Sequence, residues 1–240
     1  MTKKLLLTPL LLVLFQAASF AQTEPSTDTN DKLEFSTGYT FGSLKNLEFS
    51  PVSRYDYNAF TYKLGYERTS KNHNLFNIRL AYLTTTLKSD RIPALNSDYS
   101  KIGLSFSYLK RIYNKNKLSI HLGLQSNTNI SFSDEGVNSF PIFNQSFGIA
   151  SQFTYQINEK HALYSKLTIP MLLFRLTDSS SDTFTLKRNQ SIFWEFGYNY
   201  SLSNDFDLKA SYQFNYDRLQ IPNAFREVQY QFNLGVQYKF

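Results

Sequence analysis

The three histidines, His73, His121 and His161, are the residues best suited to acid–base chemistry in this chain of 240 residues. Histidine exchanges a proton near neutral pH, and beside a carboxylate or a hydroxyl it can activate water or a nucleophile. Cysteine is absent, which excludes thiol catalysis, a disulfide framework and a lipoprotein anchor. The acids in long predicted connections are Asp90, Asp98, Asp134, Glu135, Asp178 and Asp182. Whether a histidine meets any of these acids depends on the elements that carry them.

An apolar repeat of two residues dominates the chain from Lys32 onward. In the last segment, for example, Tyr230 and Phe232 alternate with Gln229 and Gln231. This alternation predicts strands with one apolar face. Pro170, inside the seventh strand, predicts a missing ladder hydrogen bond or a bulge. The ten predicted strands are 32–43, 57–68, 74–86, 99–111, 117–130, 145–157, 161–174, 190–201, 206–217 and 226–240. A count of eight or twelve stays open at this point, because the seventh strand and the long loops are the least regular parts of the pattern.

The connections between these strands alternate between short and long. The short ones are 69–73, 112–116, 158–160 and 202–205, and the long ones are 44–56, 87–98, 131–144, 175–189 and 218–225. Short turns at one end and longer loops at the other are typical of an outer-membrane barrel. An even strand number then places both termini at the short-turn end, which is expected to face the periplasm.

The alternation does not tell by itself which face is outward, because a soluble lipocalin-like barrel also alternates, with its apolar face inside. Here the second face consists mainly of Ser, Thr, Asn, Gln and Gly, not of the Lys and Glu that cover a soluble domain. Aromatic residues also recur near both strand ends on the apolar face, as they do at a membrane boundary. Both observations favour an apolar face turned to lipid and a polar lumen.

The chain ends in the segment QFNLGVQYKF, with an aromatic last residue and apolar residues at every second position before it. These residues are Phe232, Leu234, Val236, Tyr238 and Phe240. The segment resembles the C-terminal strand of bacterial outer-membrane proteins, and residues 32–240 resemble their small β-barrel domains, without a recognised functional subfamily. The resemblance implies that the barrel-assembly machinery reads this strand during insertion. The expected fold class is all-β, a transmembrane antiparallel up-and-down barrel.

The N-terminus carries the features of an export signal. Lys3 and Lys4 precede an apolar stretch, and Ser19 and Ala21 are the small residues that a signal peptidase reads. We predict a Sec signal peptide at 1–21, a flexible periplasmic tail at 22–31 and the barrel at 32–240, in the outer membrane of a Gram-negative-type bacterium. The formal charge of +6 is dispersed, which argues against nucleic acid as a partner. We expect a monomer whose partners are outer-membrane lipids.

Charged residues on the polar face predict a network inside the lumen. They are Glu34, Lys63, Glu67, Arg79, Lys101, Lys166, Glu195 and Lys209, with Asp207 near a short turn. Both signs are present, so the residues could pair as buried charges must, or line a narrow pathway. Eight glycines also lie on this face, at 38, 42, 65, 103, 123, 148, 197 and 235. They indicate either an open lumen or room for bulky neighbours such as Phe193, Tyr164 or Arg79.

This topology also decides the chemistry of the histidines. His73 and His161 flank short turns, and His121 is in phase with the polar face and points inward. None of them reaches the long loops that carry the acids, so the pairing that an omptin-like protease needs is not predicted. We therefore expect no catalytic residue, no cofactor and no metal. The predicted role is structural or binding. The alternatives are a narrow pore for small solutes, a partner of an envelope or secretion machine and, as the least favoured, a hydrolase or acyltransferase.

Overall fold

In a computed structural model, the alternating segments form eleven strands within the described residues, which are 30–47, 54–133, 141–178, 180–220 and 224–240. The strands are β1 (Asn30–Asn46), β2 (Tyr55–Thr69), β3 (Leu75–Ser89), β4 (Ser97–Lys115), β5 (Leu118–Ser133), β6 (Ile142–Gln156), β7 (His161–Leu176), β8 (Ser181–Thr185), β9 (Asn189–Ser201), β10 (Phe206–Leu219) and β11 (Phe225–Lys239). The predicted signal peptide and most of the predicted tail lie outside the described residues.

Ten of these strands form a closed antiparallel barrel. Each strand pairs with its neighbour in the chain, β7 pairs with both β6 and β9, and β1 pairs with β11 to close the ring. In that last pairing Lys32 is opposite Lys239, so both ends of the described chain lie at the same end of the barrel. The ten predicted strands are confirmed, and no strand end differs from its predicted position by more than four residues.

The predicted loop 175–189 was wrong, because it contains the additional strand β8. β8 pairs with the last five residues of β7, 172–176, with Leu173 opposite Phe184. β9 pairs with β7 only over residues 161–168 of β7. The hairpin forms because Phe184 can then bury its ring against Leu173, Leu219 and Phe225. A five-residue alternation is too short to stand out from a loop in the sequence.

Pro170 lies at a bulge, which confirms one of the two outcomes predicted for it. Gly148 is opposite Pro170 and Phe147 is opposite Leu172, so Met171 is the extra residue on β7. The bulge shifts the phase of β7, and for this reason Leu173 faces the lumen although Ile169 and Leu172 face outward.

The two ends of the barrel differ in their connections and in their interior packing. The short-turn end carries the turns 70–74, 116–117, 157–160 and 202–205, and the loop end carries the longer connections. Near the loop end the inward face becomes apolar and forms two clusters, one of Leu44, Tyr55, Tyr57, Ala59, Leu83, Leu87 and Tyr99, the other around Phe184. Among the described residues, no helix is long and apolar enough to cross a bilayer.

Candidate functional site

Four charged side chains from four strands meet across the lumen, and we name them the ion-pair cluster: Glu34 on β1, Arg79 on β3, Glu195 on β9 and Lys209 on β10. Arg79 Nη1 lies 2.8 Å from Glu195 Oε2, and Lys209 Nζ lies 2.8 Å from Glu34 Oε2. The cross contacts are longer, 4.0 Å from Arg79 to Glu34 and 3.6 Å from Lys209 to Glu195. All four were predicted to face the lumen, and barrel closure brings them together.

Tyr164 on β7 completes this cluster. Its hydroxyl donates to Glu195 Oε1 at 2.6 Å, and Lys209 Nζ lies 5.0 Å from the centre of its ring. The ring lies against Gly197, where an added Cβ would approach ring atoms to 2.3 Å. Gly197 therefore makes room for Tyr164, as one of the two interpretations of the inward glycines predicts.

The remaining predicted lysines are divided between paired and unpaired groups. Lys101 Nζ lies 2.7 Å from Glu227 Oε2. Lys63 instead donates to Gln213 Oε1 at 2.6 Å, and Lys166 donates to Ser107 Oγ at 3.0 Å. No carboxylate of the described chain lies within 4.0 Å of the Nζ of Lys63 or of Lys166.

The two predicted acids nearest the short turns lie apart from the ion-pair cluster. Asp207 is at the rim, where Lys239 Nζ lies 2.8 Å from its Oδ1 and Lys32 Nζ lies 3.6 Å from its Oδ2. Glu67 is half-buried and lines the lumen on the same side of the cluster. Neither residue contributes to the contacts across the middle of the barrel.

Sequence reasoning missed a second polar group toward the loop end, built around Glu227. Its Oε1 accepts a hydrogen bond from Tyr57 at 2.6 Å, and its Oε2 pairs with Lys101. Asp217 also faces inward and accepts from Ser191. The signal was available, because Glu227 is in phase with Gln229 and Gln231. Its partners could not be read from the sequence, since Lys101 is 126 residues away along the chain.

The ion-pair cluster separates two cavities in the lumen. The loop-end cavity has a volume of about 180 Å³ and the short-turn cavity about 370 Å³. Arg79, Lys166 and Glu195 line both, so the two cavities adjoin at these side chains. The loop-end cavity is also lined by ten Asn, Gln, Thr and Ser residues and by the charged residues Lys63, Lys101, Asp217 and Glu227.

All three histidines lie at the short-turn end. His121 is buried, and its Nε2 lies 3.0 Å from the carbonyl oxygen of His73. His161 contacts the hydroxyl of Tyr198 through Nδ1. Within the described residues, no three His, Cys, Asp or Glu side chains are grouped as metal ligands would be.

The outward face is a continuous apolar surface. Leu124 and Leu234 are each 69% exposed, and Phe60 is 61% exposed, values that a water-soluble face would rarely combine. The residues of the predicted assembly signal are all on this face and exposed: Phe232, Leu234, Val236, Tyr238 and Phe240. Their recognition by an assembly machine stays a prediction.

Comparison with solved structures finds outer-membrane barrels. The chain is similar to the outer membrane protease OmpT from Escherichia coli, with a TM-score of 0.62 and 10% identity over 91% of this chain and 99% of that one. It also matches Neisserial surface protein A at a TM-score of 0.40 and 13% identity (87% and 97% covered), and the translocator domain of the autotransporter NalP from Neisseria meningitidis at 0.43 and 12% (97% and 96%).

Comparison at the level of sequence gives no further assignment. No protein-family model matches the chain, and no curated protein matches it. At 10% identity the likeness to OmpT concerns the fold and not the activity. The chain thus has the closed ten-stranded fold of the outer-membrane β-barrel proteins.

Proposed function

We propose that this protein is an integral outer-membrane protein with a non-enzymatic structural or binding role, and that its lumen is closed to ion flow. The apolar outward face matches what a bilayer requires of a barrel exterior, and the OmpT-like fold supports the same location. Export by the Sec route is part of the proposal, and it rests on the sequence of residues 1–21.

The observation that carries the closed lumen is the ion-pair cluster. The pair of Arg79 and Glu195 joins β3 to β9, which lie on opposite sides of the ring, so this pair crosses the lumen. The pair of Lys209 and Glu34 joins β10 to β1 over the inner face of β11. Their side chains are 7–17% exposed, and separating buried charged partners is costly because each is left without compensation. Tyr164 fills the space beside them. The cluster therefore acts as a plug of side chains between the two cavities.

The loop end is narrower on one side of the lumen. Tyr55 and Leu87 are fully buried in the apolar cluster of that end, and Tyr57 is held by its hydrogen bond to Glu227. This apolar cluster belongs to the four adjacent strands β1 to β4, so it lines one side of the lumen. The ion-pair cluster is therefore the barrier that closes the lumen, and the apolar cluster reduces the width of the lumen at the loop end.

The positions of the histidines support the non-enzymatic part of the proposal. His73, His121 and His161 lie at the short-turn end, away from the loop-end acids that a base and carboxylate mechanism would need. OmpT is a protease, which makes hydrolysis the activity to test. Cleavage of a peptide or lipid ester that His121→Ala abolishes would contradict the proposal.

The test is single-channel recording in planar bilayers. The protein is expressed from the full sequence, extracted in detergent and checked for folding by a heat-dependent gel shift. We expect no discrete steps from the wild type and steps from Arg79→Ala/Glu195→Ala, which removes the plug. Glu159→Ala, in an exposed turn, is the matched control and should stay silent.

A narrow pore is the second candidate, and one observation favours it. The two cavities adjoin at Arg79, Lys166 and Glu195, so a modest displacement of Arg79 would connect them. Reproducible conductance steps from the folded wild type would overturn the proposal of a closed lumen and favour this pore.

A further inference from the structure

The loop-end cavity presents unpaired hydrogen-bond donors. Arg79 Nε, Asn127 Nδ2 and Gln231 Nε2 are buried without a hydrogen-bond partner, and all three residues line this cavity. Each of these atoms is an N–H donor. No oxygen among the buried unpaired side-chain atoms of the described chain belongs to a residue of this lining.

The orientation of the Asn127 amide follows from its neighbours. The Thr168 hydroxyl donates to Gln125 Oε1 at 3.1 Å, and Gln125 Nε2 then donates to Asn127 Oδ1 at 2.7 Å. This chain leaves Asn127 Nδ2 as the terminal group. The network therefore ends on a donor, and a buried donor without an acceptor is costly.

The same region carries an excess of positive charge. Lys63 and Lys166 lie beside the ion-pair cluster, which itself contains two cations, Arg79 and Lys209, and two carboxylates, Glu34 and Glu195. Glu67 is a third carboxylate on the short-turn side, and no ion pair within 4.0 Å joins it to Lys166, so four cations face three carboxylates here. Both carboxylates of the cluster are occupied by Arg79 and Lys209, which leaves Lys63 and Lys166 with only neutral partners. A buried ammonium group is stabilised by an anion that supplies the missing charge.

The other acids of the cavity do not compensate for these two lysines. Glu227 is paired with Lys101 and accepts from Tyr57, and Asp217 accepts from the neutral hydroxyl of Ser191. Neither carboxylate lies within 4.0 Å of the Nζ of Lys63 or Lys166. They belong to the polar group nearer the loop end. The charge excess is therefore local to the side of the cavity that meets the ion-pair cluster.

We propose that the loop-end cavity binds a small free oxyanion, of the size and chemistry of inorganic phosphate or sulfate, through Lys63, Lys166 and the free amide donor of Asn127. The volume of about 180 Å³ accommodates an ion of this size with a few waters. An oxyanion offers several acceptors to the donors and charge to the lysines. This site is additional to the structural role proposed above and does not depend on it.

The short-turn cavity supplies a route for the anion. Lys32, Arg111 and Lys117 line it, and Lys166 lies where it meets the loop-end cavity. Positive charge around a recess with low-dielectric walls raises the local concentration of anions and speeds their arrival. An anion drawn into this recess reaches Lys166 at the boundary between the two cavities.

The test is titration of inorganic phosphate into the folded, detergent-solubilised protein at constant ionic strength in chloride. Binding is measured by calorimetry and by the broadening of the ³¹P line. We expect saturable binding at one site, competed by sulfate. Lys166→Gln should weaken it by about tenfold or more, because a charge-assisted hydrogen bond is lost. Lys88→Gln, an exposed lysine near the loop end, is the matched control and should bind as the wild type does.

A second variant keeps the test decisive if Lys166→Gln fails to fold. Asn127→Asp is nearly isosteric and turns the free donor into a carboxylate, so it should abolish phosphate binding. Asn158→Asp in an exposed turn is its control. Absence of saturable binding to the folded wild type, or equal binding by Asn127→Asp and wild type, would overturn the proposal. Glycerol phosphate, which mimics a lipid headgroup, should bind more weakly; equal affinity would assign the site to headgroups and overturn the free-ion assignment.

Discussion

Replacing Glu195 with glutamine removes one charge from the ion-pair cluster with almost no change in volume. In the native protein its carboxylate accepts from Arg79 at 2.8 Å and from Tyr164 at 2.6 Å, and Lys209 lies 3.6 Å away. After Glu195→Gln, Glu34 alone remains to compensate Arg79 and Lys209. The amide nitrogen of the new side chain is also a donor, so it cannot replace the lost acceptor on both sides.

The expected cost follows from the burial of the pair. The side chains of Glu195 and Arg79 are 9% and 17% exposed. Removing one partner of a buried pair destabilises a protein by about 3–5 kcal/mol. Because the cluster borders two polar cavities that water can enter, we expect about 3 kcal/mol, the lower end of that range. Glu159→Gln in an exposed turn should change the free energy of unfolding by less than about 0.5 kcal/mol.

The chain contains a natural probe for this measurement. Trp194 is the single tryptophan, it lies on the outward face next to Glu195, and its indole donates to Ser165 Oγ at 2.9 Å. Its emission should report loss of the apolar environment as urea unfolds the barrel from vesicles or micelles. The free energies of unfolding of wild type, Glu195→Gln and Glu159→Gln can then be compared from the midpoints and slopes.

A double variant separates a missing charge from a missing side chain. Arg79→Met/Glu195→Met removes both charges and leaves Lys209 paired with Glu34 at 2.8 Å. Replacing both partners of a buried pair by apolar groups is often nearly neutral, so this variant should recover most of the stability lost in Glu195→Gln. A Glu195→Gln protein as stable as wild type would refute the reasoning, and so would a double variant less stable than the single one.

Two further predictions concern the packing of the lumen. Gly197→Ala should lower the free energy of unfolding by about 1–3 kcal/mol, because its Cβ would approach the Tyr164 ring to 2.3 Å. Gly103→Ala should lower it by less, because the added Cβ would be 3.2 Å from its nearest atom. A larger loss for Gly103→Ala than for Gly197→Ala would contradict this account. Tyr57→Phe removes the 2.6 Å hydrogen bond to Glu227 and should lower the free energy of unfolding, measured by the same urea titration, by about 1–3 kcal/mol. An unchanged midpoint of urea unfolding would mean that water replaces the hydroxyl.

The strands and their faces could be predicted because a barrel wall repeats one simple rule. Each residue faces either lipid or lumen, so the period of two in β11, with Phe232 and Leu234 outward, appears directly in the sequence. The same rule places Lys63 and Glu195 inside. Strand number and ends follow from counting such segments.

Contacts across the lumen could not be predicted in this way. Arg79 and Glu195 are separated by 116 residues, and their meeting depends on strand tilt and on the stagger of ten registers around the ring. The strand β8 could not be predicted because it is too short. Its alternation covers five residues, and only the tertiary cluster around Phe184 makes it a strand. The period of two thus identifies the strands of the barrel wall, whereas the contacts inside the lumen depend on how the ring of strands closes.

Closure also explains why the cavities lie where they do. Tyr57 packs against Gly42 near the loop end, where an added Cβ would approach the ring to 2.2 Å, and Tyr164 packs against Gly197 beside the ion-pair cluster. Each glycine is paired with its tyrosine on the neighbouring strand, so each ring lies over the space that the missing side chain leaves and fills part of the lumen at its own level. Between the levels the inward side chains are amides, hydroxyls and charged groups without an aromatic ring across the lumen, and the loop-end cavity remains there. A ten-stranded ring is only slightly wider than the barrels that side chains fill completely, so the choice of residue, more than the number of strands, decides where a solute can fit. Lys63 and Lys166, the lysines without a carboxylate partner within 4.0 Å, border that cavity, and a bound anion would supply the charge that their neutral partners do not.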